Sequence, residues 1–213
     1  MKKNFCLVGV DQDFNDFLIE NKKKYIGLFS KFKNKNYQHI KKKIGGENIN
    51  DWKKIKKKFN PSVFIVIDDG KKREFLEKKI FKNNVKNLFL KSSFIEKTSQ
   101  NLLAKKRGIL VQKFVKISSN VKINNGVKIN IGCQIHHNCN IGKYSTLAPR
   151  SVVLGNVKIG NYTFIGANST IKQNVKIGNN CTIGAGSVVV KNVQDNQTVA
   201  GIPAKKLIKK NKK

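Results

Sequence analysis

Acidic residues, arginine and long apolar runs are all scarce in this sequence. The 213 residues contain 12 aspartates and glutamates against 44 lysines and arginines, a formal net charge of +32. Only Arg73, Arg107 and Arg150 are arginines. Base readout favours the forked guanidinium of arginine, and the sequence contains no helix-turn-helix, zinc-finger or RNA-binding motif. The charge therefore predicts a solvated lysine surface that attracts small anions, with a polyanion-binding protein as one alternative.

Membrane-spanning and export signals are also missing. The apolar runs, such as residues 63–67, are far shorter than the roughly 20 residues that cross a bilayer. The sequence starts Met1-Lys2-Lys3 and continues with an apolar stretch, but this stretch ends at Asp11 and no small-residue cleavage site follows. We therefore expect a soluble, cytoplasmic protein.

A six-residue period governs the second half of the chain, from about residue 109 to residue 190. One position in six is aliphatic, and glycine often follows it, where we expect a sharp turn to need a permissive backbone. Three such hexads form one triangular coil of a left-handed parallel β-helix, so residues eighteen apart stack at about 4.8 Å. The aliphatic positions are Val111, Ile117, Ile123, Ile129, Ile135, Ile141, Leu147, Val153, Ile159, Ile165, Ile171, Ile177, Ile183 and Val189.

The first half predicts a small α/β unit, because short apolar runs alternate with amphipathic stretches. We expect strands at residues 5–10, 25–29, 63–67 and 85–90, a helical segment at 14–18, and a helix at 71–81 with Phe75, Leu76 and Ile80 facing inward. The predicted division is a Rossmann-like domain at residues 1–105, the β-helix at 106–205 and a basic tail at 206–213.

Cysteine and histidine are few, which limits metal chemistry. Cys133, Cys139 and Cys181 fall on one repeat position where small residues recur, so we expect buried thiols rather than disulfides or metal ligands. A zinc centre of three separated histidines is not available in the β-helix, because His39 lies outside the repeat and the other two histidines are adjacent. We expect no metal.

One corner of the repeat carries imidazole. Stacking by eighteen residues places Gly155 beside His137. A neutral imidazole takes up a proton at about pH 7, and the unobstructed N–H of a glycine can stabilise an oxyanion. These two residues predict a base and an oxyanion donor for attack on a thioester, whereas His136 is expected to be solvated.

These residues resemble the hexapeptide-repeat sugar acetyltransferases of the NeuD/PglD type. The resemblance covers nearly the whole chain and rests on IHHNCNIG at 135–142, GNVKIG at 155–160, IGAGSVV at 183–189 and GIPAK at 201–205. It implies a homotrimer that acetylates a sugar acceptor for surface glycan biosynthesis, with acetyl-CoA as cosubstrate in a groove between neighbouring β-helices.

The resemblance also implies roles for individual residues. The catalytic residues are His137, Asn138 and Gly155. CoA is contacted by Thr146, Ala167, Ala185 and Lys205. The sugar acceptor, for which a UDP-linked sugar is one option, is contacted by Gly9, Asp68, Asp69 and Arg73. 

Two departures from the family keep alternatives open. Asn138 stands where the family has an acidic residue, which predicts a slower enzyme or a compensating group. The family's glycine-rich turn is reduced to Gly9, and acidic residues occupy 68–69. An amine on a nucleotide-linked sugar is the favoured acceptor; a hydroxyl on a sialic-acid-like sugar and a catalytically weakened sugar-binding homologue are the alternatives.

Overall fold

The computed structural model describes residues 4–9, 18, 21–29, 43–45, 49–90 and 93–207. The helical segment expected at 14–18 and most of the basic tail expected at 206–213 lie outside these residues. Across the described ranges, no helix combines the length and apolar character needed to span a membrane.

The first domain is a four-stranded parallel sheet with helices. Its strands are β1 (Phe5–Val8), β2 (Tyr25–Phe29), β3 (Lys43–Gly45) and β4 (Ser62–Ile65), in the order β3-β2-β1-β4. The helices are α1 (Ile49–Phe59) and α2 (Gly70–Phe75), which continues as a π-helical segment (Leu76–Phe81), and short 3-10 turns cover Lys22–Lys24 and Lys82–Asn84. Because the chain moves to opposite sides of β1 to form β2 and β4, the carboxyl ends of β1 and β4 flank the crevice where open α/β sheets bind ligands.

The helix predicted at 71–81 is present, but one of its predicted core residues is wrong. Leu76 and Ile80 are buried, whereas Phe75 is 56% exposed. The buried face also contains Arg73 and Glu77, at the spacing of one helical face with Leu76 and Ile80. The charged residues Arg73 and Glu77 therefore face the β-helix, and Phe75 lies on the opposite side of the helix.

The left-handed parallel β-helix predicted from the repeat is confirmed. Each predicted aliphatic position is the second residue of a two-residue strand and is at most 3% exposed. Partners in register are eighteen residues apart, as in Gln134 and Val152. The strands β7 to β20 are Leu110–Val111, Lys116–Ile117, Lys122–Ile123, Lys128–Ile129, Gln134–Ile135, Asn140–Ile141, Thr146–Leu147, Val152–Val153, Lys158–Ile159, Phe164–Ile165, Thr170–Ile171, Lys176–Ile177, Thr182–Ile183 and Val188–Val189.

The two ends of the β-helix are irregular. At its start, β5 (Leu88–Phe89) and β6 (Phe94–Ile95) pair with β7 and β8, and helix α3 (Lys97–Ala104) packs against β9. At its end, β21 (Thr198–Gly201) and β22 (Ala204–Lys206) form an antiparallel hairpin. The first coil thus begins within the segment predicted as the N-terminal domain. Of the strand predicted at 85–90, only β5 is present, and it belongs to the β-helix; Val85 contributes an isolated bridge to the first sheet.

The glycines after the aliphatic positions have a different role from the one predicted. Positive φ angles occur at other corner positions, which are mostly asparagine, such as Asn120 and Asn180. Gly142 has ordinary backbone, but a Cβ on it would lie 2.3 Å from the carbonyl carbon of Gly160 on the next coil. These glycines are needed because successive coils stack closely at this corner, and not because the turn needs a permissive backbone.

Candidate functional site

His137 and Gly155 meet at the corner between the faces that contain β11 and β12. The His137 side chain is exposed and lies over buried Gly155 on the following coil. A Cβ at position 155 would be 2.7 Å from both Cε1 and Nε2 of the imidazole. Only glycine leaves room for the ring in this position, because real Cβ contacts are longer than 3 Å.

Asn138 is the hydrogen-bond partner of the imidazole. Its Nδ2 lies 3.2 Å from Nδ1 of His137. An amide can present either nitrogen or oxygen to Nδ1, and only the oxygen selects the tautomer that leaves Nε2 unprotonated as a base. A carboxylate at this position would impose that tautomer, so Asn138 orients the ring without fixing its protonation site.

The backbone around Gly155 leaves one donor available. The N–H of Asn156 donates to the His137 carbonyl at 3.0 Å, and the Gly155 carbonyl accepts from the N–H of Asn174 at 3.0 Å. Within the described ranges, the N–H of Gly155 itself has no acceptor. The corner therefore combines an exposed imidazole with an uncommitted amide.

Ala167 and Ala185 stack on the neighbouring corner of the prism. They are eighteen residues apart, and the N–H of Gly186 donates to the Ala167 carbonyl at 2.8 Å. One face of the β-helix separates this corner from the corner of His137. We call it the valine face, and it is formed by β8, β11, β14, β17 and β20. Its outward residues are Lys116, Gln134, Val152, Thr170 and Val188. Lys205 is exposed in the terminal hairpin.

Thr146 lies apart from these alanines. It projects from the face that the N-terminal domain covers and is buried. Its hydroxyl donates to the Asp68 carbonyl at 2.8 Å and accepts from Nη1 of Arg73 at 3.0 Å. The Thr146 side chain, expected to contact CoA, is therefore part of the contact between the two domains.

Arg73, expected to contact an anionic acceptor, instead joins the two domains. Its side chain is buried, and burial lowers the pKa of the guanidinium to about 10, against the opposing effect of Asp68 and Asp69. A guanidinium has five N–H groups, and acceptors are present for all five, because Nε, Nη1 and Nη2 each donate to oxygens. The acceptors are the carbonyls of Gly126, Ile67, Asp68, Tyr144 and Ser145 and the hydroxyl of Thr146, at 2.7 to 3.1 Å.

Gly9, Asp68 and Asp69 do lie at the carboxyl ends of β1 and β4. Gly9 has a φ of 89° and donates its N–H to the Phe29 carbonyl at 3.0 Å, and a Cβ there would be 2.5 Å from Cγ1 of Ile67. Asp69 caps α2, since its side chain accepts from the N–H of Lys72 at 3.1 Å. A cleft of about 330 Å³ opens beside Asp68 and Asp69, between the first domain and the β-helix.

Three aromatic and acidic contacts close the same domain junction. The Tyr144 hydroxyl donates to Glu77 Oε2 at 3.2 Å, and Arg107 Nε lies 2.6 Å from Glu77 Oε1. Burial raises the pKa of the Glu77 carboxyl, although Arg107 and Tyr144 both oppose this shift. Tyr162 stacks on Tyr144 with ring centroids 5.9 Å apart. Glu77 of the first domain is therefore held by Tyr144 and Arg107 of the β-helix.

Lys128 is a site residue that the sequence analysis missed. It projects from β10 into the junction, where Nζ donates to the Val66 carbonyl at 2.9 Å and to Asp68 Oδ1 at 2.8 Å. One signal was present in the sequence. The outward positions of this face include Leu110 and Phe164, and apolar outward residues indicate a covered face.

The repeat matches a known family, and the fold matches solved structures. Residues 120–155 and 156–191 match the family described as Bacterial transferase hexapeptide (six repeats). By sequence, no curated protein gives a significant match to this chain.

Three solved structures are similar over almost the whole chain. A perosamine N-acetyltransferase variant from Caulobacter crescentus, solved with CoA and GDP-perosamine, is 20% identical, with a TM-score of 0.84 over 97% of this chain and 98% of that one. The acetyltransferase domain of PglB from Neisseria gonorrhoeae, solved with acetyl coenzyme A, is 18% identical, with a TM-score of 0.83 over 97% and 100%. WeeI from Acinetobacter baumannii is 24% identical, with a TM-score of 0.76 over 96% and 99%. Residues 120–191 therefore match bacterial transferase hexapeptide repeats, and the chain shares the fold of these solved structures.

Proposed function

We propose that this protein is an acetyl-CoA-dependent acetyltransferase that acetylates the amino group of a nucleotide-linked sugar. The observation that carries the proposal is the contact of His137 with Gly155, which joins a base to an amide donor at one corner of the repeat. Similar folds support the substrates, because one of those structures contains CoA with GDP-perosamine and another contains acetyl coenzyme A.

The reaction follows from the chemistry of these groups. The acceptor nitrogen attacks the thioester carbonyl carbon while Nε2 of His137 takes its proton. The N–H of Gly155 stabilises the resulting oxyanion. The C–S bond then breaks, and the proton passes from His137 to the departing thiolate, leaving the acetylated sugar and free CoA. A general base contributes typically about 10²- to 10⁴-fold, and one oxyanion donor about 10²- to 10³-fold.

A homotrimer completes the site in this proposal. The outward positions Val152, Thr170 and Val188 are half-buried and carry no charge, whereas the face of β9, β12, β15 and β18 is lined by exposed lysine and asparagine. The valine face is therefore the better candidate for contact between protomers. Such contact would bring His137 of one protomer toward the corner of Ala167 and Ala185 of its neighbour, which forms the groove for acetyl-CoA. Light scattering should give a mass three times the 24.1 kDa of one chain.

We assign the acceptor to the crevice between β1 and β4, next to Gly9, Asp68 and Asp69. Ligands of open α/β sheets bind where strand order reverses, and β1 and β4 flank that position in this sheet. We also propose that the protein acts in the cytoplasm, in surface glycan synthesis; its four free cysteines fit a reducing compartment.

A screen of thiol release from acetyl-CoA tests the proposal. Nucleotide-linked amino sugars, with UDP and GDP carriers, form one arm, and free sialic acids form the other. We expect release with at least one amino sugar and an acetamide product by mass spectrometry. Release only with sialic acids would replace N-acetylation by O-acetylation, and release with neither would reject the proposal.

A further inference from the structure

Three consecutive carbonyls at the carboxyl end of β4 are held by cationic side chains. Residues 66–68, the β4–α2 loop, follow β4 directly. Lys128 Nζ donates to the Val66 carbonyl at 2.9 Å. Nη1 of Arg73 donates to the carbonyls of Ile67 and Asp68 at 2.8 and 2.7 Å. Because Lys128 lies on β10, the β-helix itself fixes the shape of this loop.

Lys128 also holds one oxygen of the Asp68 carboxylate. Its Nζ lies 2.8 Å from Oδ1, and the two side chains differ sharply in exposure, at 3% for Lys128 and 63% for Asp68. The ammonium is thus buried beneath the loop while most of the carboxylate faces solvent beside the cleft. A carboxylate held at one oxygen can still accept hydrogen bonds from hydroxyl groups with the other.

This use of lysine is unusual within the repeat. Five strands of the β-helix have the sequence Lys-Ile, and the four lysines apart from Lys128 are exposed. Burying an ammonium carries a desolvation cost, which an apolar side chain of similar length would avoid. Packing alone therefore does not explain a lysine at position 128.

We propose that Lys128 is a positioning residue for the acceptor. It fixes the Asp68 carboxylate so that this group accepts hydrogen bonds from hydroxyls of the acceptor's ribose or sugar ring. This inference rests on the proposed function, since it refines how the same acceptor is bound. It assigns to the β-helix a direct influence on acceptor affinity that is separate from acetyl-CoA binding.

Steady-state kinetics of the full-length protein test the inference through a double-mutant cycle. The variants are Lys128→Met, Asp68→Asn, their combination, and Lys158→Met as an exposed Lys-Ile control. We expect Lys128→Met and Asp68→Asn each to raise the acceptor KM about tenfold, the loss of a charge-assisted hydrogen bond, with the acetyl-CoA KM unchanged. The combination should be no worse than Lys128→Met, because both changes break one interaction. Multiplying effects, or equal rises in both KM values, would overturn the positioning role.

Hydrogen exchange separates this inference from the proposed function. The amides of the β4–α2 loop and of the first turn of α2 should exchange faster in Lys128→Met than in Lys158→Met. The exchange rates of the β-helix should be the same in both variants. This readout requires no activity. If the wild type transfers acetyl to no acceptor, the proposed function fails. If the loop exchanges at the same rate in both variants, the positioning role fails.

Discussion

The imidazole of His137 lies against the backbone of Gly155, so closely that a Cβ at position 155 would be 2.7 Å from Nε2. The two residues are on successive coils, and the repeat alone sets their separation. Gly155 has no positive φ, so it is not required by backbone conformation. Its lack of a side chain leaves room for the ring, and within the described residues its N–H donates to no acceptor.

Replacing Gly155 by alanine should displace the imidazole without unfolding the β-helix. The added Cβ would occupy the place of the ring edge, and misplacing a general base costs much of its contribution. We expect Gly155→Ala to slow thiol release about 100-fold or more while circular dichroism and thermal midpoint stay close to wild type. Gln173→Ala, one coil further along the same corner, is the control and should retain activity. Equal activity of the two variants would contradict the assigned geometry.

Asn138→Asp should increase kcat. A carboxylate accepts from Nδ1–H, selects the tautomer with Nε2 free, and stabilises the imidazolium that forms during transfer. A charge-assisted hydrogen bond of this kind is worth about 1.5 to 3 kcal/mol, so a rise of about 10- to 100-fold is expected. Rates at saturating acetyl-CoA and acceptor provide the measurement. A clear loss of activity would mean that the amide serves another purpose.

Arg73→Met should weaken the connection between the domains. The change removes every hydrogen bond from the guanidinium and leaves buried carbonyls, among them those of Gly126 and Tyr144, without these donors. The expected loss is about 3 to 5 kcal/mol of unfolding free energy, measured by denaturant titration. Arg150→Asn is the matched control, because Arg150 is exposed and has left-handed backbone that asparagine accepts. If Arg73→Met were as stable as this control, Arg73 would not join the domains.

Glu77 should make stability depend on pH in an unusual direction. Burial raises the pKa of its carboxyl, so the folded protein retains a proton that the unfolded chain releases above about pH 4.3. The contribution of Glu77 is therefore fully present below that pH and decreases as pH rises through the raised pKa. As pH rises from 4 to 7, the denaturation midpoint of the wild type should fall relative to that of Glu77→Gln. A relative change in favour of the wild type would contradict the raised pKa.

The β-helix could be predicted from the sequence because its signal is local and periodic. Each aliphatic residue packs inside its own coil, so the six-residue pattern fixes strands, faces and the eighteen-residue stacking of His137 on Gly155. The first coil escaped detection because its pairs, such as Phe89 with Val111, are 22 residues apart and fall outside the period.

The domain junction could not be predicted, because it buries residues that a pattern assigns to solvent. Arg73 and Lys128 are buried by contacts with residues more than 50 positions away in sequence. A charged side chain is found buried only when such partners exist, and a single sequence does not reveal them. The inward Phe75 was wrong for the same reason, since Arg73 and Glu77 occupy the side of the helix that faces the β-helix.

The most direct test of this account compares His137→Ala with His136→Ala in the transfer of acetyl from acetyl-CoA to a nucleotide-linked amino sugar. The half-buried His136 is adjacent in sequence, so it controls for damage to the corner. Loss of the base should reduce the rate of CoA release about 10²- to 10⁴-fold in His137→Ala, and His136→Ala should remain near wild type. Equal rates for His137→Ala and the wild type would contradict the central role of His137.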